Sequence, residues 1–134
     1  MRRHRYLFAA LVASVLAGAV LGATARAADV TTYDQGAFVA AEAAGKPILV
    51  AIHASWCPVC AKQRPILSEL EQQVAYKDLV VFMVDFDSQK NVVAAMGAQK
   101  QSTLIVFHGK AEKGRSVGDT NAATIQALLA KSMS

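Results

Sequence analysis

Three short apolar runs constrain the fold of this 134-residue chain more than any other feature of its sequence. They cover residues 47–52, 79–84 and 104–107 and consist almost wholly of valine, isoleucine, leucine and other apolar residues. Strands of this kind lack the alternation of polar and apolar residues that a half-exposed sheet shows, so both of their faces are buried. The chain must therefore supply helices for both sides of the sheet.

The segments around these runs have the periodicity of amphipathic helices. We predict helices over residues 34–44, 57–76, 88–96 and 121–131, and a further strand over residues 112–117. Asp34 is expected to cap the first helix, with Tyr33 and Phe38 packed together as a staple. Pro65 is expected to kink the second helix because proline has no backbone amide to donate. Residues 29–32 are interpreted as a linker, and the order α-β-α-β-α-β-β-α predicts an α/β sandwich.

The only two cysteines lie in the pentapeptide Trp56-Cys57-Pro58-Val59-Cys60, where a predicted strand leads into a helix. A disulfide across so short a gap removes little chain entropy, so reactivity explains the pair better than stability does. First-turn amides and the helix dipole stabilise a thiolate, which makes Cys57 the predicted nucleophile. Cys60, expected to be deeper and less exposed, would resolve the mixed disulfide. Pro58 suits the first turn, and Trp56 is expected to form an apolar lip beside Cys57.

A metal site is the alternative interpretation of a C-x-x-C pair, because such a pair is also half of many zinc sites. The chain has no second cysteine pair, and beyond residue 4 its only histidines are His53 and His108. His108 is expected on the surface. Asp85 and Asp87 follow a strand and are interpreted as caps of the next helix rather than as ligands of a hard metal. A strand followed by a helix is the context of a redox pair, so the redox interpretation is favoured.

Residues 46–67, K-P-I-L-V-A-I-H-A-S-W-C-P-V-C-A-K-Q-R-P-I-L, resemble the thioredoxin superfamily in the strand, the W-C-x-x-C motif and the helix proline. The similarity continues through residues 84–87, the strand at 103–107 and Gly118. The resemblance implies a three-layer α/β/α sandwich with a central mixed β-sheet and the cysteines at the start of a kinked helix. It also implies protein disulfides or dithiols as substrates and no bound cofactor.

One departure from that family lies at Ser102, where the family almost always has a cis-proline. A cis bond before a residue other than proline costs about 2.5–4 kcal/mol, so we expect the bond from Gln101 to Ser102 to be trans. The resemblance implies that Gln101, Ser102 and Thr103 bind an extended substrate peptide through their backbone. The Ser102 hydroxyl has two open roles, donation to a Cys57 thiolate or the filling of a turn. The missing proline also makes metal binding at the sulfurs more plausible.

A second departure removes two charges, and a third adds a histidine. Ala51 stands where thioredoxins have a buried acid, and Met83 stands at the position of its lysine partner. Because that acid is thought to accept the proton of the resolving cysteine, Cys60 needs another route. His53 replaces an aromatic residue and has several open roles: a base acting through a water, a cation beside the thiolate, a third metal ligand with Cys57 and Cys60, or simple filling of space.

The N-terminal segment has the pattern of a secretory signal. Three arginines, at positions 2, 3 and 5, precede an uncharged apolar run over residues 7–23. Small residues flank the predicted cleavage site after Ala27, so we expect residues 1–27 to be a cleaved signal peptide and residues 28–134 to be a thioredoxin-like domain. An uncleaved anchor is less favoured, because a helix of this length spans about 25 Å of the roughly 30 Å hydrocarbon layer.

The charge of the chain gives no sign of nucleic-acid binding. Removing residues 1–27 removes four of the fourteen basic side chains and leaves ten against ten acidic ones. The formal net charge of +4 therefore belongs to the predicted signal, and the domain that follows has no basic excess.

Together these features predict a thiol-disulfide oxidoreductase of an extracytoplasmic compartment, periplasmic or secreted. We expect a monomer that exchanges dithiol for disulfide with protein substrates and receives electrons from a membrane thiol donor. The reducing direction is favoured, because oxidases of the family commonly carry a histidine between the cysteines and this chain has Pro58-Val59. The alternative is a metal-binding or metal-delivery protein that uses Cys57, Cys60 and His53.

Overall fold

Five strands and four helices build the part of the chain that the computed structural model describes, residues 26–134. The strands are β1 (Asp29–Thr32), β2 (Pro47–His53), β3 (Val80–Asp85), β4 (Thr103–His108) and β5 (Ala111–Val117). The helices are α1 (Gln35–Ala43), α2 (Pro58–Glu71), α3 (Lys90–Ala95) and α4 (Ala122–Lys131). Most of the predicted signal peptide lies outside the described residues. Within residues 26–134, no helix is long and apolar enough to cross a membrane.

The sheet is mixed and has the strand order β1-β3-β2-β4-β5. β1 and β2 both run parallel to β3, whereas β4 is antiparallel to β2 and to β5. Helices α2 and α4 cover one face, where Leu67, Leu70 and Ile125 pack against the strands. Helix α1, through Phe38, and helix α3, through Val93, cover the other face. The predicted three-layer α/β/α sandwich with a central mixed sheet is confirmed.

The position of the central strands within the sheet explains why their sequences are almost wholly apolar. In β2, each residue from Pro47 to Ile52 is buried, and only His53 at its end is half-buried. β2 lies between β3 and β4, and its residues alternate between the two helical layers, so neither face reaches water. This burial fixes the position of the C-terminal end of β2 in the middle of the sheet. It therefore also fixes the position of the cysteines that follow β2.

The interpretation of residues 29–32 as a linker is wrong. They form the edge strand β1, which pairs with β3 in register from Asp29 opposite Val80 to Thr32 opposite Met83. All four residues of β1 are exposed. The strand is therefore held by backbone hydrogen bonds rather than by buried side chains, and its sequence shows no apolar pattern from which to predict it.

Helix α1 has its predicted cap, whereas α2 and α3 differ from their predicted bounds. The carboxylate of Asp34 accepts a bond of 2.8 Å from the amide of Ala37, and the rings of Tyr33 and Phe38 pack with centroids 5.4 Å apart. Helix α2 ends at Glu71 instead of residue 76, and a 3₁₀ turn (Val74–Tyr76) follows it. That turn directs Tyr76 into the core, where the residue is buried. Helix α3 begins at Lys90 rather than residue 88.

Candidate active site

The cysteine pair lies at the junction of β2 and α2, as predicted. Cys57 is the N-cap of α2, with extended backbone at φ −85° and ψ 109°, and Pro58 occupies the first turn. Cys57 and Cys60 form a disulfide, and their Cα atoms are 5.3 Å apart. The amide of Cys60 donates a bond of 3.1 Å to the Cys57 sulfur. An amide of the first helical turn thus points at the sulfur on which negative charge must develop.

Exposure does not separate the two cysteines in the expected way. Cys57 is 3% exposed and Cys60 is 8% exposed, so the expectation that Cys60 is the less exposed is wrong. In the oxidised pair both sulfurs are drawn into one small apolar cluster with Ala54, against which Val59 and Phe86 pack. What distinguishes Cys57 is its position as helix cap and acceptor of the Cys60 amide.

Trp56 stands beside the pair and is 57% exposed, which agrees with the apolar lip expected there. Its indole Nε1 donates a bond of 2.7 Å to the carboxylate of Asp87, in the turn after β3. The sequence interpretation assigned Asp87 to capping, because nothing local connects two residues that are 31 positions apart. The bond restrains the indole from one end and leaves its apolar surface open to solvent.

Neither Asp85 nor Asp87 caps α3, whose N-cap is Gln89 without a side-chain bond, so the capping interpretation is wrong. Asp85 instead orders the turn before the helix. Its carboxylate accepts the amides of Asp87, at 3.1 Å, and Ser88, at 2.8 Å, together with the Ser88 hydroxyl. These bonds, chiefly those from Ser88, hold the pKa of Asp85 below its ordinary value, and the charge of His53 acts in the same direction. They order the turn that precedes α3, which explains why that helix begins two residues late.

A cavity of about 180 Å³ lies beside the disulfide, between the end of β2 and the first turns of α2. Its wall is formed by residues of β2, the β2–α2 connection, α2 and β3, namely Ala51, Ile52, His53, Ala54, Ser55, Cys57, Cys60, Ala61, Gln63, Arg64, Leu67 and Met83. Ala51 and Met83 are direct neighbours in the pairing of β2 with β3. The two positions at which related proteins carry a charged pair are thus adjacent here and apolar, and both face this cavity.

Arg64 is the one permanently charged side chain of the cavity wall. Its guanidinium donates to the Met83 sulfur at 3.4 Å and to the Ser68 hydroxyl, and it forms an ion pair with the buried carboxylate of Glu71. Lys62, on the same helix, is exposed to solvent. Arg64 instead covers the sulfur of Met83 and compensates the charge of Glu71.

His53 lies in the wall of the same cavity as both cysteines, at the end of β2 and opposite Asp85 in register. It is half-buried. Among residues 26–134, no group of three or more histidine, cysteine and acidic side chains is arranged to hold a metal ion. His53 thus shares this cavity with Cys57 and Cys60, and its role as a third metal ligand stays a prediction. The other histidine of residues 26–134, His108, is half-buried, with Nδ1 2.8 Å from the Ser132 carbonyl oxygen.

The segment at Ser102 differs from the family in its backbone. No cis peptide bond occurs in the described residues, so the expected trans bond before Ser102 is confirmed. In this oxidised form, in which Cys57 has no thiolate, the Ser102 hydroxyl donates to the carbonyl of Gln101 at 2.6 Å. Donation to a Cys57 thiolate in the reduced form stays a prediction. Ser102 and Thr103 are buried and Gln101 is half-buried. Peptide binding through this segment stays a prediction.

The comparisons with known proteins agree with this geometry. Residues 29–131 match the model of the family Thioredoxin. Thioredoxin 1 of Nostoc sp. is 32% identical over 63% of this chain and 78% of its own length. The chloroplastic M-type thioredoxin of Zea mays is 30% identical, and the match spans half of that protein. The crystal structure of Trxlp from Edwardsiella tarda has a TM-score of 0.74 and 40% identity, and covers 75% of this chain and 98% of that one.

A mixed sheet between two helical layers, with a disulfide at the N-terminus of a central helix, defines a thioredoxin-like thiol-disulfide oxidoreductase. This chain belongs to the thioredoxin family. Proteins of this family act on protein disulfides, and Cys57 and Cys60 form the pair of the family's C-x-x-C type.

The contact between Trp56 and Asp87 yields a prediction, because Trp56 is the only tryptophan of the chain. Replacing Asp87→Ala removes the acceptor of the indole N–H and is expected to lower the free energy of unfolding by about 0.5–1.5 kcal/mol. Indole fluorescence should shift to longer wavelength as the ring becomes more mobile and more hydrated. Asp78→Ala, which removes an exposed acid paired with Lys77, is the control. Identical spectra for the wild type and Asp87→Ala would contradict the contact.

Proposed function

We propose that the chain is a dithiol-disulfide oxidoreductase of an extracytoplasmic compartment, periplasmic or secreted, that reduces disulfides of other proteins. The observation that carries the proposal is the helix amide of Cys60 directed at the Cys57 sulfur. A first-turn amide stabilises the thiolate of Cys57 over the thiol and so makes this sulfur the attacking one. The export pattern of residues 1–27 supports the compartment, where disulfides form and persist.

The reaction proceeds in two exchanges. The Cys57 thiolate attacks one sulfur of a substrate disulfide, which forms a mixed disulfide and releases the other substrate sulfur as a thiolate. Cys60 then loses its proton and attacks the Cys57 sulfur, which closes the Cys57–Cys60 disulfide and releases the second substrate thiolate. Two electrons pass from the pair to the substrate. The oxidised pair is then reduced by a further dithiol, for which a membrane thiol donor is the proposed source, and the protein acts as a monomer.

The proton of Cys60 needs an acceptor, since the neighbouring strand positions hold Ala51 and Met83. We propose that His53 serves as that acceptor through a water in the shared cavity. Both side chains lie in the cavity wall, and its volume of about 180 Å³ is large enough for water. Asp85, the register partner of His53, offers a negative charge beside the imidazolium that proton transfer creates.

A substitution tests the role of His53 directly. His53→Gln keeps a polar side chain without a base and is expected to slow closure of the Cys57–Cys60 disulfide from a preformed mixed disulfide by about 10²-fold. Stopped-flow release of the second thiol measures that step. Imidazole added to the buffer should restore part of the rate, because the cavity opens to solvent. An unchanged closure rate in His53→Gln would exclude it as the acceptor.

Trapping of substrates tests the proposed function as a whole. Cys60→Ser, expressed in the native host, is expected to accumulate mixed disulfides through Cys57 in the exported fraction, with a chain that begins at Ala28. Mass spectrometry of the adducts identifies the partners, and Cys57→Ser is the matched control that should trap none. If the wild-type pair cycles in vitro while Cys60→Ser gives no adduct, the assignment of nucleophile and resolver is wrong. A reduction potential near −270 mV supports the reducing direction, whereas a value near −120 mV supports an oxidase.

A further inference from the structure

Ser102 holds a backbone conformation that its own chemistry does not favour. Its φ is +57°, and within residues 26–134 it is the only residue other than glycine with a positive φ. Ser102 is also 6% exposed, so water does not solvate its backbone freely. A left-handed conformation is unfavourable for a residue with a Cβ, and serine has no ring to fix φ as proline does. Some other group must therefore hold this segment in place.

Gln63 provides that restraint from α2. Its Nε2 donates to the carbonyl of Ser102 at 3.2 Å and to the carbonyl of Asp119 at 2.9 Å. A glutamine amide has two N–H donors, so both are used. The Ser102 carbonyl also accepts the amide of Gly118 at 3.0 Å, which occupies both of its lone pairs. Gln63 is 3% exposed and its bond to Ser102 is buried, so losing that bond leaves a buried carbonyl with one hydrogen bond fewer.

The same side chain also lies near the redox pair, without a hydrogen bond to either sulfur. Gln63 lies three residues after Cys60 on α2 and lines the cavity beside the disulfide. Thr103 pairs with Ile52 in the antiparallel ladder of β4 and β2. Ser102 therefore lies beside His53, at the end of β2 from which the chain continues to Cys57. The side-chain amide of Gln63 thus connects α2, which carries the cysteines, to two backbone segments at this end of the sheet, the segment before β4 and the segment after β5.

We propose that Gln63 is a positioning residue for protein substrates, which holds the backbone at Gln101 and Ser102 where an extended polypeptide can lie across the cysteine pair. The inference rests on the proposed function, because it assigns how that site meets a protein disulfide. Gln63 does not touch the reacting sulfurs. Its effect must therefore appear in the recognition of a polypeptide and not in sulfur exchange with a small disulfide that makes no contact with this segment.

Two substitutions of nearly equal volume remove the donor. Gln63→Leu removes all polarity, and Gln63→Glu replaces the amide donor by a carboxylate that faces two carbonyl acceptors. Both are expected to raise KM for a disulfide-bonded protein such as insulin by about three- to tenfold, with kcat changed less. The rate with bis(2-hydroxyethyl) disulfide should stay within about twofold of the wild type. Gln72→Leu, at the exposed C-terminal end of α2, is the matched control and should change the kinetics with neither substrate.

Hydrogen exchange tests the restraint without any turnover. Amides of residues 100–103 are expected to exchange about tenfold faster in Gln63→Leu than in the wild type, and the same as the wild type in Gln72→Leu. Unchanged exchange, unchanged KM for insulin, or equal loss with both disulfides would each overturn the proposal. A wild-type protein that reduces neither disulfide would contradict the proposed function instead, while the exchange measurement would still decide whether Gln63 holds the segment.

Discussion

The structure depends above all on where α2 begins. Cys57 is the last residue with extended backbone before the helix, and the first-turn amide of Cys60 therefore points at its sulfur. That geometry requires a rigid origin, which β2 supplies because it is buried between β3 and β4 and covered on both faces. Only three residues separate the end of β2 from Cys57, so the packing of the core fixes the orientation of the Cys57 sulfur.

The two positions near the cysteines at which the resemblance implies an acid and a lysine hold apolar residues in this chain. Ala51 and Met83 lie side by side on β2 and β3, and a cavity remains in front of them. Replacing both members of a buried ion pair by apolar residues need not reduce stability, whereas losing one would leave a charge unpaired. The polar side chains of the cavity lie at its edges instead, with His53 at the end of β2 and Arg64 on α2 paired with Glu71. The path of the Cys60 proton through His53 is therefore a proposal that follows from this arrangement.

The features that sequence alone predicts are those in which one segment carries its own physical signal. β2, β3 and β4 are apolar throughout because they are buried, and Asp34 and the C-x-x-C pair mark helix starts by local chemistry. β1 escaped prediction because its pairing with β3 uses only backbone groups. The lower exposure of Cys57 was also unpredictable, since it depends on how the disulfide closes against Ala54.

The site contacts that sequence could not predict join residues far apart in the chain. The bond between Trp56 and Asp87 spans 31 positions, and that between Gln63 and Ser102 spans 39. Neither has a local pattern, because a single polar side chain on a helix is equally compatible with an exposed surface position. Only the packing of α2 against the sheet edge brings the glutamine amide to the carbonyl of Ser102.

The pKa of the Cys57 thiol shows whether the helix N-terminus makes this sulfur reactive. In the reduced Cys60→Ser variant, the pH dependence of alkylation by iodoacetamide measures this pKa, and Cys57→Ser gives the matching value for Cys60. We expect a Cys57 pKa below the ordinary value of about 8.5 and below that of Cys60. A Cys57 pKa at or above the ordinary value, or a lower pKa at Cys60, would exclude the helix N-terminus as the source of the reactivity.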